Sequence, residues 1–228
     1  MNNTVWQIAV WLIPLVIAIV FHEVAHGYLA RLLGDRTAER EGRLTLNPIR
    51  HVDPIGTVLV PMVLALAHVP IFGWAKPVPV VASRMRHPRR DMALVALAGP
   101  GTNLVLAAIT AAVIGMVASR HGGALPGEGL AGFINENLVN FLLINVFLAI
   151  FNLLPVPPFD GGHVVEAVLP RPLAAQYARL RPFAFPVMLI LLVVLPSIAP
   201  GANVVARIVY PITEAVIGVL ARTFGGLG

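Results

Sequence analysis

The chain has 228 residues, of which 57% are hydrophobic and only 12% charged, with a mean hydropathy of +0.83; a soluble domain carries about 25% charged residues, so water cannot be the solvent for most of this surface. A formal net charge of +5 and a pI near 10.7 fit the basic cytoplasmic loops of a membrane protein better than a nucleic-acid partner. Cysteine is absent, which excludes thiolate ligands and disulfides and leaves nitrogen and oxygen to hold any metal.

Apolar stretches run over residues 5–33, 55–69, 92–118, 133–154, 183–195 and 204–220. The first has no basic leader and no cleavage site, so it reads as a retained helix. A spanning helix needs about 20 residues, which 5–33, 92–118 and 133–154 supply unaided. Residues 183–195 reach that length with their apolar flanks. Residues 204–220 carry Arg207, Pro211 and Glu214 and are expected to span as well.

Residues 55–69 are too short to cross and are followed by Gly73, Pro77 and Pro79. Two prolines two apart forbid helix and favour an extended path. Arg36, Arg40, Arg43 and Arg50 precede this stretch, and Lys76, Arg84, Arg86, Arg89 and Arg90 follow it. A crossing would put one basic flank outside, against the preference of positive charge for the cytoplasm, so a re-entrant excursion is expected.

The expected architecture is an all-α polytopic membrane protein with about five to six transmembrane helices and a re-entrant or extended segment near 55–81. It forms a single membrane-embedded domain, 1–228, with a core over 5–170 and C-terminal helices over 183–224. Loops 34–91 and 156–182 fall in the cytoplasm. The N-terminus, loop 119–132 and turn 196–203 fall outside, and Arg222 returns to the cytoplasm. The expected location is the cell (cytoplasmic) membrane, with multiple passes through the lipid bilayer.

His22-Glu23-Val24-Ala25-His26 lies within the first helix. Residues four apart share a helical face, so both imidazoles reach one ion. Glu23 stands beside the first ligand, able to address a metal-bound water without being a ligand itself. Zinc brings that water's pKa towards about 7, and Glu23 would take its proton and hand it to the departing amine. A buried polar cluster joining helices is the plainer alternative, but ionisable groups at membrane depth are functional by default.

A catalytic zinc needs a third protein ligand and an open position. Asp160 stands out, in Asn152-Leu-Leu-Pro155-Val-Pro157-Pro158-Phe-Asp160-Gly161-Gly162-His163. The prolines unwind the end of the fourth stretch, and the glycines allow a tight turn. Irregular backbone near a membrane is tolerated where it is buried in protein or lines a wet cavity. His22 lies about 24 Å along the first helix from Trp6. Both half-sites then reach the cytoplasmic side.

These two motifs, with a weaker third in Ala98-Gly99-Pro100-Gly101-Thr102-Asn103, resemble the site-2 protease family of intramembrane metalloproteases. The resemblance covers most of 5–170. It implies one zinc ion held by His22, His26 and Asp160, with Glu23 as base. It also implies cleavage of single-pass transmembrane protein substrates, in regulated proteolysis or signal-peptide clearance. Asn152 would position substrate or stabilise the oxyanion, and Asn103 would face the same core. For both, an interhelical hydrogen bond is the alternative. The chain leaves no room for the PDZ or CBS domains of larger relatives.

A helical substrate must unwind before its carbonyls can be attacked, and an exposed edge strand holds such a segment by backbone pairing. Segment 74–81, with Trp74, Val78 and Val80, is the candidate strand, although Pro77 and Pro79 limit it to one-sided pairing. His163 is expected beside the site and not as a fourth ligand. Two competing functions fit these residues less well. A silent membrane scaffold would lack Glu23 or a ligand, and a metal transporter would need a continuous polar path, whereas the outer half of the first helix offers only Gln7.

Overall fold

The computed structural model describes residues 4–66, 73–199 and 203–225, and every regular element among them is helical. Helix α1 (Thr4–Leu32) is followed by α2, which joins Pro54–Leu59 to Val60–Leu66, then by α3 (Pro88–Arg120) and α4 (Gly129–Asn152). Two short helices, α5 (Asp160–Val168) and α6 (Arg171–Ala178), lead into α7, made of Ala184–Leu189, Ile190–Val194 and Leu195–Ile198. Helix α8 joins Val205–Val209 to Tyr210–Phe224.

Helices α1, α3 and α4 form the central bundle. With 29, 33 and 24 residues at about 1.5 Å each, all exceed a hydrocarbon core of about 30 Å. Four helical stretches, these three and Arg171–Ile198, are long and apolar enough to cross a membrane. Their outward faces carry Trp11, Ile17, Val105, Ile109 and Met116, all exposed. Exposed large apolar side chains in such number belong against lipid.

Small residues let the backbones approach. Ala107, Ala111, Ile114, Leu142 and Val146 form one buried cluster between α3 and α4, the kind of contact that drives association where lipid removes the hydrophobic incentive. Pro14 lies inside α1 and has no N–H for the Val10 carbonyl one turn back. The Asn140 amide of α4 donates to that carbonyl at 2.7 Å, so a helix defect on α1 is repaired from α4.

The excursion between α1 and α3 leaves and returns at one place. The Lys76 N–H donates to the His51 carbonyl at 2.8 Å, and the Trp74 N–H donates to the Gly56 carbonyl at 3.1 Å. A segment crossing the membrane would part these residues, so the tie is what a re-entrant path requires. Part of the 55–69 stretch, residues 67–69, lies outside the described residues.

Segment 73–81 is extended but belongs to no β-ladder. It forms a strap whose Trp74, Lys76, Val78 and Val81 N–H groups are bonded to loop carbonyls and to the Glu23 and Asp35 carboxylates. The edge expected over 74–81 is thus an extended segment fastened along one side that pairs with no strand among the described residues.

The C-terminal direction also differs from expectation. Met188 and Val209 pack with Leu154 and Phe159, flanked by Leu192, Val204 and Val205, so α8 begins at the Leu154 end of the bundle. A Cβ on Gly115, near the end of α3, would collide with the Phe224 carbonyl, so α8 ends beside the 119–132 loop. Arg222 thus lies on the side of that loop and not opposite it. Contact with the Leu154–Phe159 cluster, which sequence does not show, sets this direction.

Candidate metal centre

His22 and His26 sit one turn apart on the buried face of α1, with ring centroids 4.6 Å apart and planes at 85°. Asp160 is the first residue of α5. A Cβ on Gly161 would meet the Leu153 and Leu154 carbonyls, so glycine there lets the start of α5 press against the end of α4. That brings Asp160 Oδ2 to 3.2 Å from His22 Nε2 and 3.3 Å from His26 Nε2, while the two Nε2 atoms lie 3.0 Å apart.

The Nδ1 atoms decide what these contacts mean. His26 Nδ1 lies 2.7 Å from the Val95 carbonyl, which can only accept, so Nδ1 carries the proton. His22 Nδ1 lies 2.6 Å from Asn103 Oδ1. The Asn103 amide nitrogen faces two acceptors, Asn145 Oδ1 at 2.7 Å and the Ala18 carbonyl at 3.3 Å. Those acceptors settle which end of the amide is oxygen, and His22 Nδ1 must donate to it. In the neutral rings both Nε2 atoms therefore present lone pairs to the cluster.

Asp160 Oδ2 is buried with no hydrogen-bond partner. With both rings neutral, three lone pairs thus converge without a hydrogen among them, an arrangement that a metal cation satisfies. Zinc–ligand bonds of about 2.0–2.1 Å in tetrahedral geometry put ligand atoms about 3.3 Å apart. The observed triangle of 3.0, 3.2 and 3.3 Å matches. Zinc fits these residues. Among the described residues, His22, His26 and Asp160 form such a group.

Gly99 bounds one side of the site. Any Cβ there would run into both imidazoles, so the α3 backbone itself is the wall of the site. Glu23 is outside the ligand triangle, and its Oε2 accepts the Val78 N–H at 2.8 Å.

The other expected residues are placed differently. Asn103 is fully buried, with both ends of its amide engaged by protein, so it cannot touch substrate; its partner is His22. Val78 is buried, with its side chain against Gly27, and Val80 packs on the Ala30, Met85 and Val95 cluster. Trp74 meets Phe185 edge-on at 5.7 Å. Val78 is turned inward, while Val80 is half-buried. The Asn152 amide donates one hydrogen to the Leu148 carbonyl of its own helix at 2.9 Å.

His163 is not in the ligand group. It lines a cavity of about 350 Å³ with Arg89, Glu166, Arg171 and Arg181, where burial and then the Arg181 charge push its pKa down. His51 and His121 bond carbonyls of their own neighbourhoods, as isolated histidines do.

Sequence reasoning passed over Asn145, Asp35 and Arg43. Asn145, fully buried in an otherwise apolar helix, carried a readable signal, since a polar residue at membrane depth demands a partner. Asp35 and Arg43 are buried charges in a loop, and nothing in their spacing distinguished them from solvated ones.

Comparison with known proteins places these observations. A family model described as peptidase family M50 matches residues 131–195. The Bacillus subtilis protein named "Putative zinc metalloprotease YwhC" is 38% identical over 184 residues, covering 79% of this chain and 78% of its own length. The Mycolicibacterium smegmatis protein named "Putative zinc metalloprotease Rip2" is 29% identical over 191 residues, 82% of this chain but only 66% of its own length. A Methanocaldococcus jannaschii protein of similar name, MJ0611, is 43% identical over 72 residues, 32% of each chain. No solved structure matches.

Proposed function

The chain belongs to peptidase family M50, and from that premise we propose that this membrane zinc metalloprotease cuts peptide bonds within or beside the transmembrane segments of other membrane proteins. The observation that carries the proposal is the convergence of His22 Nε2, His26 Nε2 and Asp160 Oδ2 on one point between membrane-length helices. A site set among membrane-length helices supports a substrate that lies in the same bilayer. The resemblance to site-2 proteases extends the proposal to regulated proteolysis or signal-peptide clearance.

His22, His26 and Asp160 would hold the ion. Zinc, once bound there, acidifies a water and polarises the scissile carbonyl. Glu23 Oε2 is engaged by Val78, which leaves Oε1 to accept the water's proton and return it to the leaving amine. Asn152 uses one amide hydrogen on the Leu148 carbonyl and has a second to offer an oxyanion. Arg31, Arg36, Arg40 and Arg43 cluster around the end of α1 beyond the site, which supports a cytoplasmic-facing site in the cell membrane.

The test is purification in detergent, zinc analysis, and cleavage of a model transmembrane substrate by wild type and Glu23→Gln. One zinc per chain in both proteins, with turnover abolished in the variant, is the expected result. A wild type that binds no zinc, or a Glu23→Gln enzyme that cuts at the normal rate, defeats the proposal.

A further inference from the structure

Two buried charges, Arg43 and Asp35, have no part in the chemistry so far. Arg43 is 6% exposed and Asp35 is 0% exposed, and both lie in the loop after α1. Charge is costly to bury unless it is well partnered, so their partners indicate what they are for. Both reach the strap. Arg43 donates to the Lys76 carbonyl at 2.9 Å and to the Pro77 carbonyl at 3.4 Å. Asp35 accepts the Val81 N–H at 2.6 Å, and it also accepts from the Thr37 N–H and hydroxyl.

Between those two anchors lies Val78, whose N–H holds Glu23 Oε2. On its upstream side the strap is fastened again, by Lys76 to the His51 carbonyl and by the Thr57 hydroxyl to the Trp74 carbonyl. Pro77 and Pro79 flank Val78 and fix φ on both sides of it. The segment is thus stiff, pinned at both ends, and makes one contact with the group next to the ligands. Gly27 completes the fit, because only a residue without a Cβ lets the Val78 side chain settle on α1.

We propose that Arg43 and Asp35 are positioning residues for the proteolytic reaction: they clamp the strap so that the Val78 N–H aims the Glu23 carboxylate at the water it deprotonates. This rests on the reading of Glu23 as the base. A carboxylate on a flexible side chain samples several rotamers, and one directed N–H donor selects among them. Because general-base transfer needs the base within hydrogen-bond reach of the proton, loosening the strap lowers turnover and leaves the ion in place. The same link couples the site to the segment that an unwound substrate approaches. With the Lys76 and Val78 donors and the Trp74, Lys76 and Pro77 carbonyls taken up by protein, pairing with a substrate falls to the other side of the strap.

The test compares wild type with Arg43→Gln, Arg43→Lys and Asp35→Asn, in detergent with zinc, reading metal content, kcat and KM. Arg43→Gln and Asp35→Asn should keep one zinc per chain and lose about tenfold or more in kcat, with KM within about twofold. Arg43→Lys, which can still donate to the two carbonyls, should recover most of the loss. A backbone ester at residue 78, keeping the valine side chain and removing only the N–H, should reproduce the fall in kcat even if a side-chain variant fails to fold. Normal kcat in the ester protein overturns the inference, as does a fall in activity that follows loss of zinc. If Glu23→Gln itself cuts normally, the reading of the base falls. If Glu23→Gln is dead and the ester protein is fully active, the strap inference alone falls.

Discussion

Asn103 Oδ1 and His22 Nδ1 meet at 2.6 Å across the interface between α3 and α1, and that contact turns the His22 Nε2 lone pair towards Asp160. Asn145 in turn holds the Asn103 amide at 2.7 Å. Three helices therefore agree on the orientation of one ring. Removing the partner of a ligating histidine costs about 10–100-fold in metal affinity. Asn103→Leu should weaken zinc binding on that scale in competition with a chelator, and Asn145→Leu should do so less. Unchanged affinity in Asn103→Leu would show that packing alone orients the ring.

Asp160→Ala should purify with almost no zinc after dialysis against chelator, yet keep its helical content. The α5 helix has a separate fastening, since the Arg89 guanidinium donates to the Glu166 carbonyl at 2.8 Å and also to the Leu169 carbonyl. Circular dichroism beside metal analysis separates the two effects. Full zinc occupancy in Asp160→Ala would mean that the carboxylate is not a ligand.

Gly99→Ala adds one methyl group where both imidazoles already stand. The rings must shift, and a displacement near 1 Å costs about 100-fold in rate. Gly101→Ala, two residues on, meets nothing within 4 Å and should be silent. Equal cleavage rates for the two variants would contradict the close approach of α3 to the site.

Asp35 predicts a pH signature. Burial pushes its carboxyl up, but hydrogen bonds from the Thr37 hydroxyl, the Val81 N–H and the Thr37 N–H, with the Arg84 charge, hold it below the ordinary value of 3.8. A group whose pKa is depressed on folding contributes stability above its unfolded pKa and loses it as pH falls through the folded value. The stability gap between wild type and Asp35→Asn should therefore stay level from about pH 7 to 5 and shrink below about pH 4. Thermal melts across that range measure it, and a gap that widens in acid would reverse the sign.

The ligand group was legible because its signals are local. Two histidines four apart need only a helix, and Asp160 follows prolines that end one. The contacts of Asn103, Val78 and Val80 were not legible, for a different reason. Which way an interhelical amide points depends on how α1, α3 and α4 are rotated against one another, and which side of an extended segment faces inward depends on what fastens it. Alternation along 74–81 cannot distinguish the two faces. The direction of α8 was hidden likewise, because apolar length says that a helix could span and not which cluster holds its first turn.

The stitching of Lys76 to His51 and Trp74 to Gly56 bears on how the chain is made. With its base closed, the hairpin can enter the bilayer tip first from the side where it was synthesised. On a re-entrant path the arginines on either flank would stay in one compartment, so no guanidinium would be dragged through hydrocarbon, a passage that costs about 2.5–3.5 kcal/mol per residue. On that path, insertion of this segment would need only the folding of the loops that draw its two ends together.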